Sequence, residues 1–505
     1  MKFYLLSFFL FLICANTSSQ TLPDNMYADT THAPFLYGVA SGDPLQNQLI
    51  IWTKVEAPKN QTEVELFWEI AEDSSFKKSY QTGKGGTGVR LDYTVKVDVA
   101  NLLPNTNYYY RFFTKDKQYS VIGMGKTLPA KEVSKFKLAV VSCSSVWSGY
   151  FNAFRQIAKR EDIDFVIHLG DYAYDYPDKD ELYRMPTPYP VDVSSLAEWR
   201  ERHTYYLLDP DLRAARQNKT WIAVWDNHDV DCEAPGTTEE AINAFYEYLP
   251  IRVPNEQAPQ NIYRKFSFGN LADLVMTDMF LFRGKEKYEA EKKSVWGNEQ
   301  DAWIKEQLKS STAIWKIIGN QEMMGSWLSE GAPKFLKLPG NGKYFDPGCW
   351  DGYPDDRARF YHFLDSNKIN NTVVLTGDAH MSFITDLAQN PKDKKIYQSK
   401  TGKGAVGVEL VGPSITRGNM DESGVPKAFM PLVQSMSKNL NPHHVWCQFS
   451  KHGYVTLEVT SERCKAEFWY MDILKNTDIQ KIGKAYEVRK DVNHWNHKSL
   501  KRRKD

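Results

Sequence analysis

The chain has 505 residues, 63 Lys+Arg against 63 Asp+Glu, a formal net charge of +0, 42% hydrophobic and 13% aromatic residues. That balance excludes a global positive field for nucleic acid and an acidic low-complexity chain, and the aromatic content excludes a disordered one. The length exceeds what one hydrophobic core usually serves, so two domains are expected and function must be read from local constellations.

Lys2 precedes an apolar run from Phe3 to Cys14, followed by the small and polar Ala15-Asn16-Thr17-Ser18-Ser19. This order of charged, apolar and cleavage regions reads as a secretory signal over 1–19, with a retained anchor or a lipid-modified Cys14 as the other reading. The run falls short of the roughly 20 apolar residues of a spanning helix, so a soluble protein, secreted or periplasmic and without a membrane anchor after cleavage, is expected.

Over 20–128 the segments 48–55, 64–71, 93–102, 107–114 and 120–127 alternate β-branched and aromatic residues between turns, which predicts an N-terminal β-sandwich. The stretch Leu102 to Tyr110 looks like the tyrosine corner of fibronectin- and immunoglobulin-like sandwiches. Gly125-Lys126-Thr127 lacks the earlier glycine of a phosphate loop and reads as a strand end.

From 129 to 485 the texture becomes α/β. Buried-strand runs are expected at 136–142, 163–170, 220–225, 272–279, 313–319, 371–377, 405–412, 454–460 and 466–472, with helices at 150–160, 301–310 and 357–366. Residues 486–505 read as a basic, solvated tail.

Five apolar runs stop at residues able to bind metal or phosphate: Cys143, Asp171, Asp226-Asn227-His228-Asp229, Asn320-Gln321, and Asp378 with His380. Ligands of α/β sheets collect beyond the carboxyl ends of strands, so these termini together predict one site although each alone has a structural explanation. A dinuclear metal centre follows. Asp171 bridges two cations; Cys143, Asp171, Tyr174 and His380 hold the first, and their thiolate and phenolate favour Fe3+. Asp171, Asn227 and Asp378, with Asn320 or Gln321 nearby, form a hard oxygen set for Ca2+, with Mg2+ or Mn2+ as lesser options. His228 is the expected general acid beside Asp171, and Asn320, Gln321, Arg417 and His443 are candidates to touch substrate. His168 reads as a buried structural histidine, and His452 as a weaker pocket-rim candidate.

No G-x-S-x-G elbow, H-E-x-x-H helix, complete phosphate loop or C-x-x-C pair is present. Five mature cysteines are an odd number, consistent with Cys143 holding metal; Cys447 with Cys464 and Cys232 with Cys349 are the pairings left open.

Gly170-Asp171-Tyr172-Ala173-Tyr174, Asp226-Asn227-His228-Asp229 and Gly377-Asp378-Ala379-His380 resemble the ordered blocks of calcineurin-like metallophosphatases, specifically the alkaline phosphatase D (PhoD-like) family. The resemblance runs from about residue 35 to about 475 and includes 35–55, 266–278, 315–324, 350–354, 407–416 and 441–455. It implies an N-terminal β-sandwich, a four-layer αββα catalytic domain, iron with calcium, and phosphate ester hydrolysis. Cys143 and Asp378 separate the chain from the related purple acid phosphatases, which carry Asp and His there. Asn227 stands where the family often has a second Asp, which leaves the second metal more open than the first.

The function expected is thus an exported metal-dependent phosphoesterase acting on monoesters, diesters or both, with a metal-bound hydroxide as nucleophile and no nucleic-acid partner beyond a diester substrate. The alternatives are a phospholipase-like diesterase acting on lipid headgroups and a non-catalytic binding protein with a vestigial metal site. Loops around 176–200, 230–260 and 325–350 are expected to shape the pocket, the first as a lid.

Overall fold

The computed structural model describes residues 25–176, 184, 193–230, 238–254, 257–258, 260–283, 294–332 and 342–500. The leader, Cys14, Cys232 and much of the expected lid lie outside the described residues. No helix among the described residues is long and apolar enough to cross a membrane.

Seven strands precede residue 129: β1 Val39–Gly42, β2 Leu49–Lys54, β3 Glu63–Ala71, β4 Gln81–Gly88, β5 Thr94–Val99, β6 Asn107–Phe113 and β7 Gly123–Lys126. They make a sandwich in which β1, β2 and β5 face the sheet β4-β3-β6-β7 across a core containing Leu49, Ile51, Leu66, Ile70, Val95 and Tyr110. The tyrosine corner is present: the buried Tyr108 hydroxyl accepts the Leu103 N–H at 2.7 Å.

Strands β8 Lys135–Val141, β9 Phe165–His168 and β10 Thr220–Ala223 run parallel to one another, and β18 His452–Thr460, β19 Arg463–Met471 and β20 Gln480–Arg489 extend them through antiparallel pairing. A seven-stranded sheet is built from β11 Arg264–Phe268, β12 Ala272–Met276, β13 Trp315–Asn320, β14 Thr372–Thr376, β15 Ser382–Ala388, β16 Ala405–Val411 and β17 His444–Gln448, in the order β11-β12-β13-β14-β16-β15-β17. The two sheets pack face to face, with Phe268 stacked on Phe136 at 4.2 Å.

Period-two alternation explains the layering. Leu274, Ile317, Val373 and Leu375 enter the inter-sheet core, while their neighbours Val275, Ile318 and Val374 turn outward to meet a helix layer. That layer is α6 Gly297–Ser310 and α7 Pro354–Ser366, through Ile304, Leu308, Phe360 and Leu364. On the other sheet α1 Asn152–Lys159 sets Phe154 against Trp221, and α3 Pro210–Asn218 accepts the Trp221 indole N–H at Ala215 O. The result is the expected αββα stack. The remaining helices are α2 Leu196–Tyr206, α4 Asn227–Val230, α5 Thr238–Tyr248 and α8 Met430–Leu440.

Three differences from the sequence reading stand out. First, one sheet crosses the expected 128/129 boundary: β1 pairs parallel with β10, giving the order β20-β19-β18-β8-β9-β10-β1-β2-β5. Gly42 permits this, because a Cβ there would lie 2.4 Å from Pro250 O, and buried Asp43 fixes it through the Arg264 guanidinium at 2.7 Å. Second, 486–500 is not a solvated tail. Tyr486 and Val488 finish β20, and Trp495 is fully buried, its indole N–H bonded to Glu409 O at 3.1 Å. Third, Cys447 and Cys464 are free buried thiols, one on β17 and one on β19 in different sheets, so that pairing does not form; Cys349 is also free.

Candidate metal centre

The site lies beyond the carboxyl ends of β8, β9, β10, β13 and β14. Short loops there are bonded to one another: Cys143 N–H donates to Gly170 O at 3.2 Å, Ser144 N–H to Asp171 O at 2.9 Å, and Gly377 N–H to Gln321 O at 2.9 Å. The loop after β16 closes the ring, with Ile415 N–H on Ser142 O at 3.0 Å and Ser414 N–H on His380 O at 3.2 Å. Asp229 clamps the remaining turns by accepting the N–H groups of Tyr172, Ala173 and Asp226 at 3.3, 3.0 and 3.0 Å.

Four of the expected ligands adopt left-handed backbone: Cys143 (φ 57°), Asp171 (φ 56°), Asp378 (φ 50°) and His380 (φ 59°). Such conformations are uncommon for non-glycine residues, and their concentration at three strand ends marks a functional constraint. Gly170 (φ 107°) turns the chain into Asp171 where a Cβ would lie 2.4 Å from the Asp226 Cβ.

Donor atoms of Cys143, Asp171 and His380 all fall within 4.8 Å of one another. The Tyr174 hydroxyl is 2.9 Å from Asp171 Oδ2, so the first expected ligand set converges. His380 Nδ1 sits 3.0 Å from Gly418 O; donating there leaves Nε2 with its lone pair, as a metal-bound imidazole requires. His228 N–H, next to Asn227, donates to Asp171 Oδ1 at 3.3 Å, and the Asp378 carboxyl is pushed well above its ordinary range by burial, Glu322 and Asp171. Asn320 is fully buried, its amide donates to Glu322 O, and its Oδ1 has no protein partner.

The electrostatics favour cations. Burial together with Asp171 and Asp378 raises the Cys143 thiol, and burial with Asp171 and Cys143 raises the Tyr174 phenol. Asp226 is raised by burial, Asp171 and Asp378, and its Oδ2 is buried without a partner. Groups that hold one another's protons on in this way ionise together when positive charge sits among them. The donor set therefore fits metal.

Several placements depart from expectation. Gln321 has both ends of its amide engaged within the fold, with Nε2 donating to Thr277 O at 2.6 Å and Oε1 accepting Met279 N–H at 3.2 Å. His443, just before β17, is fully buried with Nε2 2.8 Å from Ser326 O rather than at a pocket rim. His452 is held by Glu422 at 2.9 Å. His168 is buried between Trp221 and Tyr172, and burial depresses it to about 3. Arg417 is only 5% exposed, and its guanidinium carbon lies 4.7 Å from the Tyr174 ring centre.

Sequence reasoning missed Asp175, and named Asp226 at its strand end without assigning it to either ligand set. Asp175 Oδ1 is 2.6 Å from His228 Nδ1. Burial alone would depress His228, but the Asp171 and Asp175 carboxylates outweigh it and raise the imidazole above its ordinary value. The signal for Asp226 was its place at the end of β10. Beside the cluster opens a cavity of about 610 Å³ lined by Asp378, His380, Asp346 and an apolar wall that includes Met323, Trp327, Phe345 and Met381.

Residues 138–468 match the PhoD-like phosphatase family, and residues 19–129 match the N-terminal domain of PhoD-like phosphatases. Among curated proteins, alkaline phosphatase D of Bacillus subtilis (strain 168) is 32% identical over 480 residues, spanning 87% of this chain and 78% of that protein. A solved structure described as PhoD superposes with a TM-score of 0.79 at 29% identity, covering 93% of this chain and 92% of the other.

Proposed function

The chain belongs to the PhoD-like phosphatase family and is a phosphoric ester hydrolase, and from that premise we propose that it works as an exported, metal-dependent phosphoesterase with a dinuclear centre. The observation that carries the metal reading is the convergence of Cys143, Asp171 and His380 donors within 4.8 Å, on left-handed backbone, with Tyr174 bonded to Asp171.

In this reading Cys143, Asp171, Tyr174 and His380 hold Fe3+, while Asp171, Asn227 and Asp378 hold Ca2+, or Mg2+ or Mn2+, with Asn320 Oδ1 and Asp226 Oδ2 at hand. When bound, the cations supply Lewis acidity, activating water as the nucleophile and drawing charge from the phosphoryl oxygens. His228 does the proton work. With Nδ1 committed to Asp175 and the ring raised above its ordinary value, its Nε2–H is the donor for the departing oxygen as the P–O ester bond breaks. Arg417, packed on Tyr174, adds fixed positive charge beside the phosphate position. Export rests on the leader at 1–19.

The apolar wall of Met323, Trp327, Phe345 and Met381 facing Asp378 and His380 favours an ester with an apolar or aromatic arm, which keeps the lipid-headgroup diesterase as a second reading. Kinetics with p-nitrophenyl phosphate, bis(p-nitrophenyl) phosphate and micellar phospholipid test both readings. Hydrolysis of at least one, falling by about 10²- to 10⁴-fold in His228→Ala, is expected. Full activity of that variant on every ester contradicts the assignment of His228.

A further inference from the structure

We propose that Asp386, His494 and His497 form a second metal site, for Zn2+, that fastens the C-terminal segment to the seven-stranded sheet. One donor atom from each lies within 4.8 Å of the others. Asp386 is fully buried on β15, four residues beyond Ser382 and hence about 13 Å along the strand from the end near His380. The two histidines come from the segment that follows β20.

The donors are oriented by bonds of their own. Asp386 Oδ1 accepts the Trp495 N–H at 2.8 Å and Oδ2 accepts the Tyr397 hydroxyl at 2.7 Å, the outer bonds that steer a ligating carboxylate. His494 Nδ1 lies 3.0 Å from Trp495 O; donating there leaves Nε2 as the lone-pair nitrogen. Its ring rests on Gly402, where a Cβ would come within 2.0 Å of Cδ2, so this position admits only glycine beneath the imidazole. His497 Nε2 stands 3.3 Å from Asp386 Oδ2. Two donors each about 2.0–2.1 Å from zinc at the tetrahedral angle are separated by roughly 3.3–3.4 Å, so a cation can replace the proton between them.

The backbone is held on both sides: buried Trp495 bonds to Glu409 O, and Asn496 and Leu500 N–H groups bond to Glu487 and Ala485 carbonyls at 2.9 Å. Two neutral imidazoles and one carboxylate suit zinc and leave a net positive charge. His497 is partly exposed, which gives the cation a path in and leaves room for water as fourth ligand. The site takes no part in hydrolysis.

The test uses the full-length protein and its His494→Ala/His497→Ala and His497→Ala variants, with zinc counted by elemental analysis after equilibration against buffered Zn2+ and with Co2+ as the spectroscopic probe. The native protein is expected to bind one more equivalent than the double variant, with tetrahedral Co2+ bands that the variant lacks. Zn2+ should slow proteolytic trimming of its C-terminus at least tenfold, an effect the variant loses. His497→Ala should weaken binding about 10- to 100-fold while iron content and ester hydrolysis stay unchanged. Equal zinc in native and double-variant protein, or no Co2+ spectrum in the native one, overturns the proposal.

Discussion

The N-terminal sandwich and the strand ends of the catalytic core use the same backbone conformation for opposite ends. In the sandwich, left-handed residues such as Asn60, Asn101, Asn105 and Lys117 sit in exposed turns, three of them asparagines that accept it at little cost. At the strand ends it falls on Cys143, Asp171, Asp378 and His380, each costing about 1–3 kcal/mol. The sandwich pairs the buried Tyr108 hydroxyl with Leu103 and leaves the neutral Tyr110 hydroxyl without a partner, whereas the site crowds acids that raise one another and leaves Asn320 Oδ1 and Asp226 Oδ2 without protein partners. The unpaired hydroxyl of the sandwich is thus neutral, while the unpaired groups of the strand ends include Asp226 among crowded acids, as a region that gives up stability for a proposed cation site would.

The sharpest way to break that contrast is Asp171→Asn. Hydrolysis should fall by at least about 10³-fold, roughly 4 kcal/mol in the barrier, because the residue shared by both proposed ligand sets loses its charge. The metal-free protein should become no less stable, since a buried acid leaves an acidic cluster. A pH series sharpens this. Asp226 and Asp378 have raised folded-state pKa values, so the folded metal-free protein holds more protons than the unfolded one. Its stability should therefore fall as pH rises above the ordinary carboxyl value of about 4, and added metal should flatten that fall in thermal melts.

Asp175→Asn is expected to act more mildly, lowering kcat/KM about tenfold, because His228 keeps its place but loses a carboxylate that holds its proton. The sign is fixed: a His228 less raised deprotonates earlier, so the alkaline limb of the pH–rate profile should move to lower pH. An unmoved limb rules out His228 as the acid. Tyr108→Phe has the smallest effect, about 1 kcal/mol of stability with unchanged kinetics, as a satisfied corner remote from chemistry requires. A larger loss of activity than of stability would mean that sandwich and site are coupled through β1 and β10.

In the central sheets β8, β9, β10, β12, β13, β14, β16, β18 and β19 were legible because they are apolar-rich runs, whereas β11, β15 and β17 were not read as strands, being interrupted by polar residues such as Lys265, Asp386 and Gln448. β4 was not, since four of its eight residues are glycine and Gly83 owes its place to the Trp68 ring above it. β20 was hidden by Gln480, Lys481, Gly483 and Lys484 in its first half, its apolar residues reaching the core only near its end. In α2 the buried face includes Arg202 and His203, so no apolar stripe announced it. The ligand blocks were legible because each ends a readable strand. Asp175 was not, being one loop position past Tyr174, and its meaning depends on His228 arriving from another strand end. His443 misled because local sequence does not say that the residue just before β17 is buried against Ser326 rather than at a pocket rim.

The central claim is that Cys143, Asp171, Tyr174 and His380 hold a ferric ion. The most direct measurement is the visible absorption spectrum of the purified protein, read with its iron content and ester hydrolysis, for the native chain and Tyr174→Phe. A phenolate-to-iron band in the native protein that disappears in the variant is the predicted result. A colourless, iron-free and fully active native protein would contradict it.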